Sequence, residues 1–132
     1  WNQDPPSPLI RNQLIRQLAR ISLTLHGNGI CHRDYYLCHF LMHEGQTMPP
    51  RLSLIDLHRA LIKPNLGRRW IIKDIAGLYY SAMDIGLKPR DILRFIRSYS
   101  AKGLRRSLSE DRDFWRQVEL RARRMREKLG PA

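Results

Sequence analysis

Apolar residues recur at helical spacing through most of this chain, and the one long stretch where they do not is residues 30–56. That contrast sets the order of parts: a helix, a polar loop, short extended segments, then further helices. The opening helix has its own chemical start signal. Ser7 can accept from the unbonded N–H groups of a first turn, and Pro8 stands where a missing N–H costs nothing. Ile10, Leu14, Leu18, Ile21 and Leu25 then form a stripe, which predicts one amphipathic helix over residues 8–26. Gly27 is expected to end it in the left-handed conformation.

Residues 30–39 follow neither the helix nor the strand period. Phe40-Leu41-Met42 is a brief apolar run, and Glu44-Gly45-Gln46 with Met48-Pro49-Pro50 marks a turn. Leu52-Ser53-Leu54-Ile55-Asp56 alternates as a strand that ends on an acid. Residues 40–56 thus predict a small hairpin behind a polar loop. Residues 70–130 predict a helical subdomain. Trp70, Ile71, Ile75, Leu78, Tyr79 and Met83 form one largely apolar helix that stops near Gly86. Lys88-Pro89-Arg90-Asp91 restarts a second, carrying Ile92, Leu93, Ile96 and Tyr99. Ser107-Leu108-Ser109-Glu110 fits a capping box for a last helix with Phe114, Val118, Ala122, Met125 and Leu129 on one stripe. Its early acids Glu110, Asp111 and Asp113, and its late bases, suit the helix dipole. The expected fold is mainly α with a small β-hairpin, and no segment repeats.

At 132 residues the chain is one domain, or one lobe of something larger. A hydrophobic share of 42% excludes wholesale disorder. No apolar run approaches the ~20 residues of a membrane span. The chain opens on Trp1-Asn2-Gln3-Asp4, with neither a basic nor an apolar leader, so no signal peptide is expected. Two cysteines, Cys31 and Cys38, cannot staple a secreted scaffold, and a reducing setting is the simpler reading. They are expected to be small buried residues rather than nucleophiles. Lys and Arg number 24 against 12 Asp and Glu, a formal charge of +12. That excess calls for an acidic partner: nucleic acid, an anionic surface, or a phosphorylated substrate.

The sharpest chemical signal is His32-Arg33-Asp34 after a long helix, with a second acid, Asp56, closing a short strand. Phosphoryl transfer needs one acid to orient the proton of an attacking hydroxyl, and another to hold Mg²⁺ against nucleotide phosphates. Asp34 fits the first role and Asp56 the second. The histidines do not form a zinc site: no H-x-x-x-H lies on a helix, and Cys31 and Cys38 make no C-x-x-C knuckle. Tyr35 and Tyr36 could stack on a sugar or pack beneath the loop. Arg59, Lys63, Arg68 and Arg69 could face an anionic acceptor or lie in solvent.

Leu25-His26-Gly27-Asn28-Gly29-Ile30-Cys31-His32-Arg33-Asp34 resembles the helix and catalytic loop of a protein-kinase-like fold. Kinase loops place a metal-binding Asn five residues beyond the Asp; that position here is His39. The segments 32–41, 55–60 and 73–79, extended by Asp84-Ile85-Gly86-Leu87 and residues 90–97, resemble the bacterial lipopolysaccharide core heptose-I kinases. The resemblance covers residues 15–100. It implies the C-terminal lobe of a protein-kinase-like (α+β) fold spanning 1–132, with the N-lobe, its glycine-rich loop and its strand lysine outside this sequence.

The resemblance further implies ATP and Mg²⁺ as cofactors, and the first heptose of the lipopolysaccharide inner core as acceptor. Asp34 would be the catalytic Asp, set in the loop by His32 and Arg33. Asp56 would bind metal, and His39 would face the cofactor in place of the Asn, or instead hydrogen-bond Asp34 or a substrate phosphate. Asp74 would be the buried acid that braces the loop. The expected setting is cytoplasmic, peripheral at the inner membrane, with acyl carrier protein as a further acidic partner. The rival expectations are a basic helical nucleic-acid-binding domain and an inactive regulatory fragment. Against the first, Arg and Lys are spread over several segments and no recognition helix stands out. A lone lobe would also expose its cleft floor, which predicts self-association.

Overall fold

The computed structural model describes residues 6–43 and 51–132. Helix α1 spans Pro8–Gly27, with Ser7 accepting from Ile10 N at 3.4 Å. It buries Leu14, Ile15, Ala19, Ser22 and His26, so its inward face is rotated from the all-apolar stripe and carries two polar side chains. Gly27 does not take the left-handed turn. Asn28 closes the helix, and Gly29 has φ +77°. The reason lies elsewhere in the chain: a Cβ on Gly29 would stand 2.0 Å from the Lys63 carbonyl oxygen.

That close approach belongs to a pairing the sequence did not reveal. Strand β1 (Ile30–Cys31) runs antiparallel to β4 (Leu61–Ile62), with Ile30 opposite Ile62 and Cys31 opposite Leu61. Two residues are too few for a period to register. The expected hairpin is also present: β2 (Phe40–His43) pairs with β3 (Arg51–Leu54), Phe40 opposite Leu54 and His43 opposite Arg51. The turn expected at 44–50 lies outside the described residues. One 3-10 turn, Leu37–His39, leads into β2, and another, Leu57–Arg59, separates Asp56 from β4. Leu52 N donates to Gln17 Oε1 at 3.0 Å, tying the hairpin to α1.

Helices α2 (Arg68–Ala82), α3 (Pro89–Tyr99), α4 (Leu104–Glu110) and α5 (Arg112–Leu129) complete the molecule. Helix α1 packs on α3, and α2 packs on α5. The core centres on Ile72, Ile75, Ala76 and Tyr80 of α2 against Val118 and Ala122 of α5. Phe114 and Met125 pack against this core as the stripe predicts, but Leu129 is 60% exposed. The capping box at Ser107 is absent. Ser107 lies inside α4, where its hydroxyl donates to Asp111 Oδ2 and accepts from Trp115 Nε1. Of the three early acids, only Asp113 lies in the first turn of α5. The restart at Lys88 is as expected, with Lys88 N donating to Asp91 Oδ2 at 2.9 Å.

Candidate active site

Asp74 fixes the loop. It sits in the middle of α2, 1% exposed, and faces the start of the loop from below. Its Oδ2 accepts from His32 N at 2.8 Å, and its Oδ1 from Arg33 N at 2.9 Å. His26 Nε2 reaches Oδ2 from α1 at 2.9 Å, and its Nδ1 meets the Tyr99 hydroxyl of α3 at 3.2 Å. Burial alone would raise this carboxyl. The hydrogen bonds from His26 and the two amides outweigh it and hold the group below the ordinary aspartate value. One charge thereby joins α1, α2 and the loop.

His32 carries the constraint from the loop to the strand beyond. Fully buried, it accepts from Asp34 N at Nδ1, 3.2 Å, and donates from Nε2 to the Ile55 carbonyl at 2.9 Å. Those two partners require the neutral Nε2–H tautomer. Asp34 and Asp56 are thus set by opposite sides of one imidazole. Arg33 and Asp56 both adopt left-handed backbone, at φ +78° and +60°. Non-glycine residues do so at a cost of about 1–3 kcal/mol, and such strain gathers at functional sites.

His39 lies between the Asp34 backbone and the Asp56 side chain. Its Nδ1 lies 2.7 Å from the Asp34 carbonyl, and its Nε2 lies 3.5 Å from Asp56 Oδ2. Its own carbonyl accepts from Ile55 N at 2.9 Å, which pins the ring beside the Asp56 segment. Asp34 is partly exposed and receives Arg59 Nη1 on Oδ1 at 2.6 Å; Asp56 is 51% exposed. One carboxylate held by a cation, beside an open carboxylate and an imidazole, is an arrangement that can orient an alcohol and hold a divalent cation. Oxygen from Asp56 suits Mg²⁺; nitrogen from His39 suits it less well.

The other candidates divide. Tyr35 is 1% exposed beneath the loop, its hydroxyl 2.6 Å from Ser22 Oγ, so its ring is part of the core. Burial pushes its phenol well above the ordinary range. Tyr36 is half-buried against Gly77, whose missing side chain leaves it room: a Cβ there would lie 3.3 Å from the Tyr36 ring. Arg33 Nε is buried with no partner among the described residues. Arg59 meets Asp34 itself. Arg68 instead pairs with Asp113 of α5 at 2.8 Å, and Arg69 lies over the Trp70 ring at 4.8 Å. Cys31 is buried, and burial followed by the nearby Asp74 charge pushes its thiol up to about 12. Cys38 is exposed, contrary to expectation.

Sequence reasoning missed His26, Ser22 and the role of Arg59. A polar side chain on an apolar helix face was the available signal for the first two. Nothing local marks Arg59, because its partner lies 25 residues away.

A cavity of about 620 Å³ lies apart from these acids, lined mainly by apolar residues of all five helices, among them Leu18, Leu78, Phe95, Leu108 and Trp115. Leu37, from the loop, reaches its wall, and Arg112, Arg116 and Arg123 stand on its lining.

Comparison with known proteins bears on this site. The model of the lipopolysaccharide kinase (Kdo/WaaP) family matches residues 1–99. Lipopolysaccharide core heptose(I) kinase WaaP of Escherichia coli is 40% identical over 131 residues, 97% of this chain and 49% of that protein. The protein of the same name from Pseudomonas aeruginosa is equally similar, at 40% over 131 residues. A solved structure, WaaP in complex with acyl carrier protein, superimposes with a TM-score of 0.83 at 41% identity. It covers 92% of this chain and 52% of its own. The fold is that of these kinase-like proteins, and the chain spans about half the length of the relatives it matches.

Proposed function

This chain belongs to the lipopolysaccharide kinase (Kdo/WaaP) family, and on that premise we propose that it is the C-terminal half of an ATP-dependent heptose kinase acting on the lipopolysaccharide inner core. The observation that carries the reading is the placement of His39 between the Asp34 backbone carbonyl, at 2.7 Å, and the Asp56 carboxylate, at 3.5 Å, which sets the two segments carrying these acids against each other. In the reaction, Asp34 accepts the proton of the heptose hydroxyl as the hydroxyl oxygen bonds to the γ-phosphorus. The bond from that phosphorus to the β,γ-bridging oxygen breaks, and ADP leaves. Arg59 Nη1, 2.6 Å from Asp34 Oδ1, holds the Asp34 carboxylate in place for that task. Asp56 and His39 would hold the divalent cation, Mg²⁺ in the ordinary case, which supplies charge neutralisation at the phosphates when bound. In this reading the phosphate-cradling loop and strand lysine belong to the other half of the kinase.

A charge of +12 suits acidic partners, both a multiply anionic glycolipid and acyl carrier protein. The apolar cavity among the helices has the chemistry to accept the acyl group such a carrier bears. Because the acceptor is a glycolipid, peripheral contact with the cytoplasmic face of the inner membrane belongs to the same proposal. Among the described residues no helix is long and apolar enough to cross a membrane.

The test joins this chain to the N-terminal half of a relative and measures phosphate transfer from ATP to heptose-terminated inner core. Asp34→Asn should cut kcat by about 10²–10⁴-fold, the usual contribution of a positioned general base. Transfer at an unchanged rate would remove Asp34 from the reaction.

A further inference from the structure

Three cations converge on one indole at the start of α2. Lys63 Nζ lies 5.5 Å from the centre of the Trp70 ring, the Arg69 guanidinium 4.8 Å and Lys73 Nζ 5.7 Å. Cation–ring attraction is weak where water reaches it, and three like charges around one ring repel one another. Among the described residues no carboxylate pairs with any of the three. The first turn of α2 also lacks an acid. Arg68, by contrast, is matched by Asp113 at 2.8 Å. Lys63 and Arg69 are exposed, and Trp70 and Lys73 are half-buried. The backbone beneath the cluster is fixed. Lys63 N donates to the Gly29 carbonyl at 2.9 Å, and the Trp70 carbonyl accepts from Cys31 Sγ at 3.5 Å. The cluster therefore stands on the β1–β4 pair that leads into His32-Arg33-Asp34.

We propose that the Lys63–Arg69–Trp70–Lys73 cluster is the face by which the chain docks on an anionic phospholipid bilayer. The proposal rests on the reading of a membrane-borne glycolipid acceptor and names the surface that meets the membrane. Headgroup phosphates supply the anions that the three cations lack, at about fivefold in affinity for each Lys or Arg close to the surface. The indole supplies the other half of the match, because tryptophan favours the boundary between water and hydrocarbon at headgroup depth. The apolar stems of Lys63 and Lys73 can lie beside the ring while their ammonium groups stay among the phosphates. Docking here holds the catalytic loop, which begins one residue beyond Cys31, near the surface that carries the acceptor.

The test needs no turnover. The chain is co-sedimented with vesicles of two parts phosphatidylethanolamine to one part phosphatidylglycerol at physiological ionic strength. Lys63→Gln, Arg69→Gln and Lys73→Gln together should weaken binding about 10²-fold. Arg121→Gln, Arg124→Gln and Lys128→Gln remove the same charge from exposed positions at the far end of α5. Helix α5 runs alongside α2 from the Arg68–Asp113 pair to the Arg126–Asp84 pair, so these three lie away from Trp70. Their loss should weaken binding by less than about threefold. Trp70 is read directly: vesicles brominated on the acyl chain should quench part of the emission of the wild type and not that of Trp70→Phe. Circular dichroism reports whether each variant is folded, and the quenching gives an answer where the triple variant is not. Equal losses from the two triples would make the attraction a property of net charge and overturn the docking face. Quenching that is the same with and without Trp70 would overturn it too. Vesicle binding unchanged by the first triple, with acyl carrier protein binding weakened, would assign the cluster to that protein instead. None of these outcomes touches the kinase reading, which stands or falls on phosphate transfer by Asp34→Asn.

Discussion

Asp74 remains ionised in a nearly dry position because a histidine and two backbone amides face it. Replacing it by Asn removes the charge and turns an amide N–H₂ toward at least one of those donors. The expected cost is about 3–5 kcal/mol, read by urea unfolding. Because the folded carboxyl titrates below its unfolded value of 3.8, the folded state holds fewer protons than the unfolded one in that range. Its contribution is therefore complete above about pH 4 and is lost as pH falls further. An acid-unfolding midpoint that does not move in Asp74→Asn would contradict this assignment. Gly29 makes a second prediction. With φ +77° and the Lys63 carbonyl where a Cβ would go, Gly29→Ala must shift the β1–β4 pair. A lowered Tm is expected, by more than the effect of Gly27→Ala, where no atom lies within 4 Å of the added carbon. His32, Asp34 and Asp56 could be singled out as candidates because their motif is local; His26 and Ser22 could not, because a polar residue on an apolar stripe gives no hint of its partner.

At the scale of elements, periodicity located four of the five helices but divided the C-terminal region incorrectly. The segment read as a capping box is a separate short helix, and Ser107 serves the indole of Trp115 instead of a helix end. Two helices meeting at one residue, Asp111, leave no breaker in the sequence to separate them. The α2–α5 seam depends on a small side chain: Ala122 is fully buried against the α2 core. Ala122→Leu adds three carbons to a packed seam and should cost about 1–3 kcal/mol or more by chemical denaturation. A variant as stable as the parent would show that α5 is loosely docked.

For the molecule as a whole, charge is the dominant fact. A +12 chain attracts acidic partners over distances that salt shortens, with a Debye length of about 30 Å at 0.01 M and 8 Å at 0.15 M. The association proposed with acyl carrier protein, followed by stopped-flow fluorescence, should therefore slow by about tenfold or more between those ionic strengths. A rate indifferent to salt would place docking on apolar contact alone. Much of the positive charge is locally compensated, as in Arg68–Asp113, Arg106–Glu110, Arg123–Glu119 and Arg126–Asp84, so the steering charge is the unpaired remainder.

The order of the four longer helices, the hairpin and the choice of both candidate acids follow from residue spacing, because periods and short motifs are properties of neighbours along the chain. Which way those acids face, what grips them and which nitrogen His39 presents were decided only when distant segments closed on one another. Asp74 reaches the loop across 42 residues and Arg59 reaches Asp34 across 25. Hydrogen bonds of that separation leave no periodic trace; they exist only once packing has brought their partners within reach.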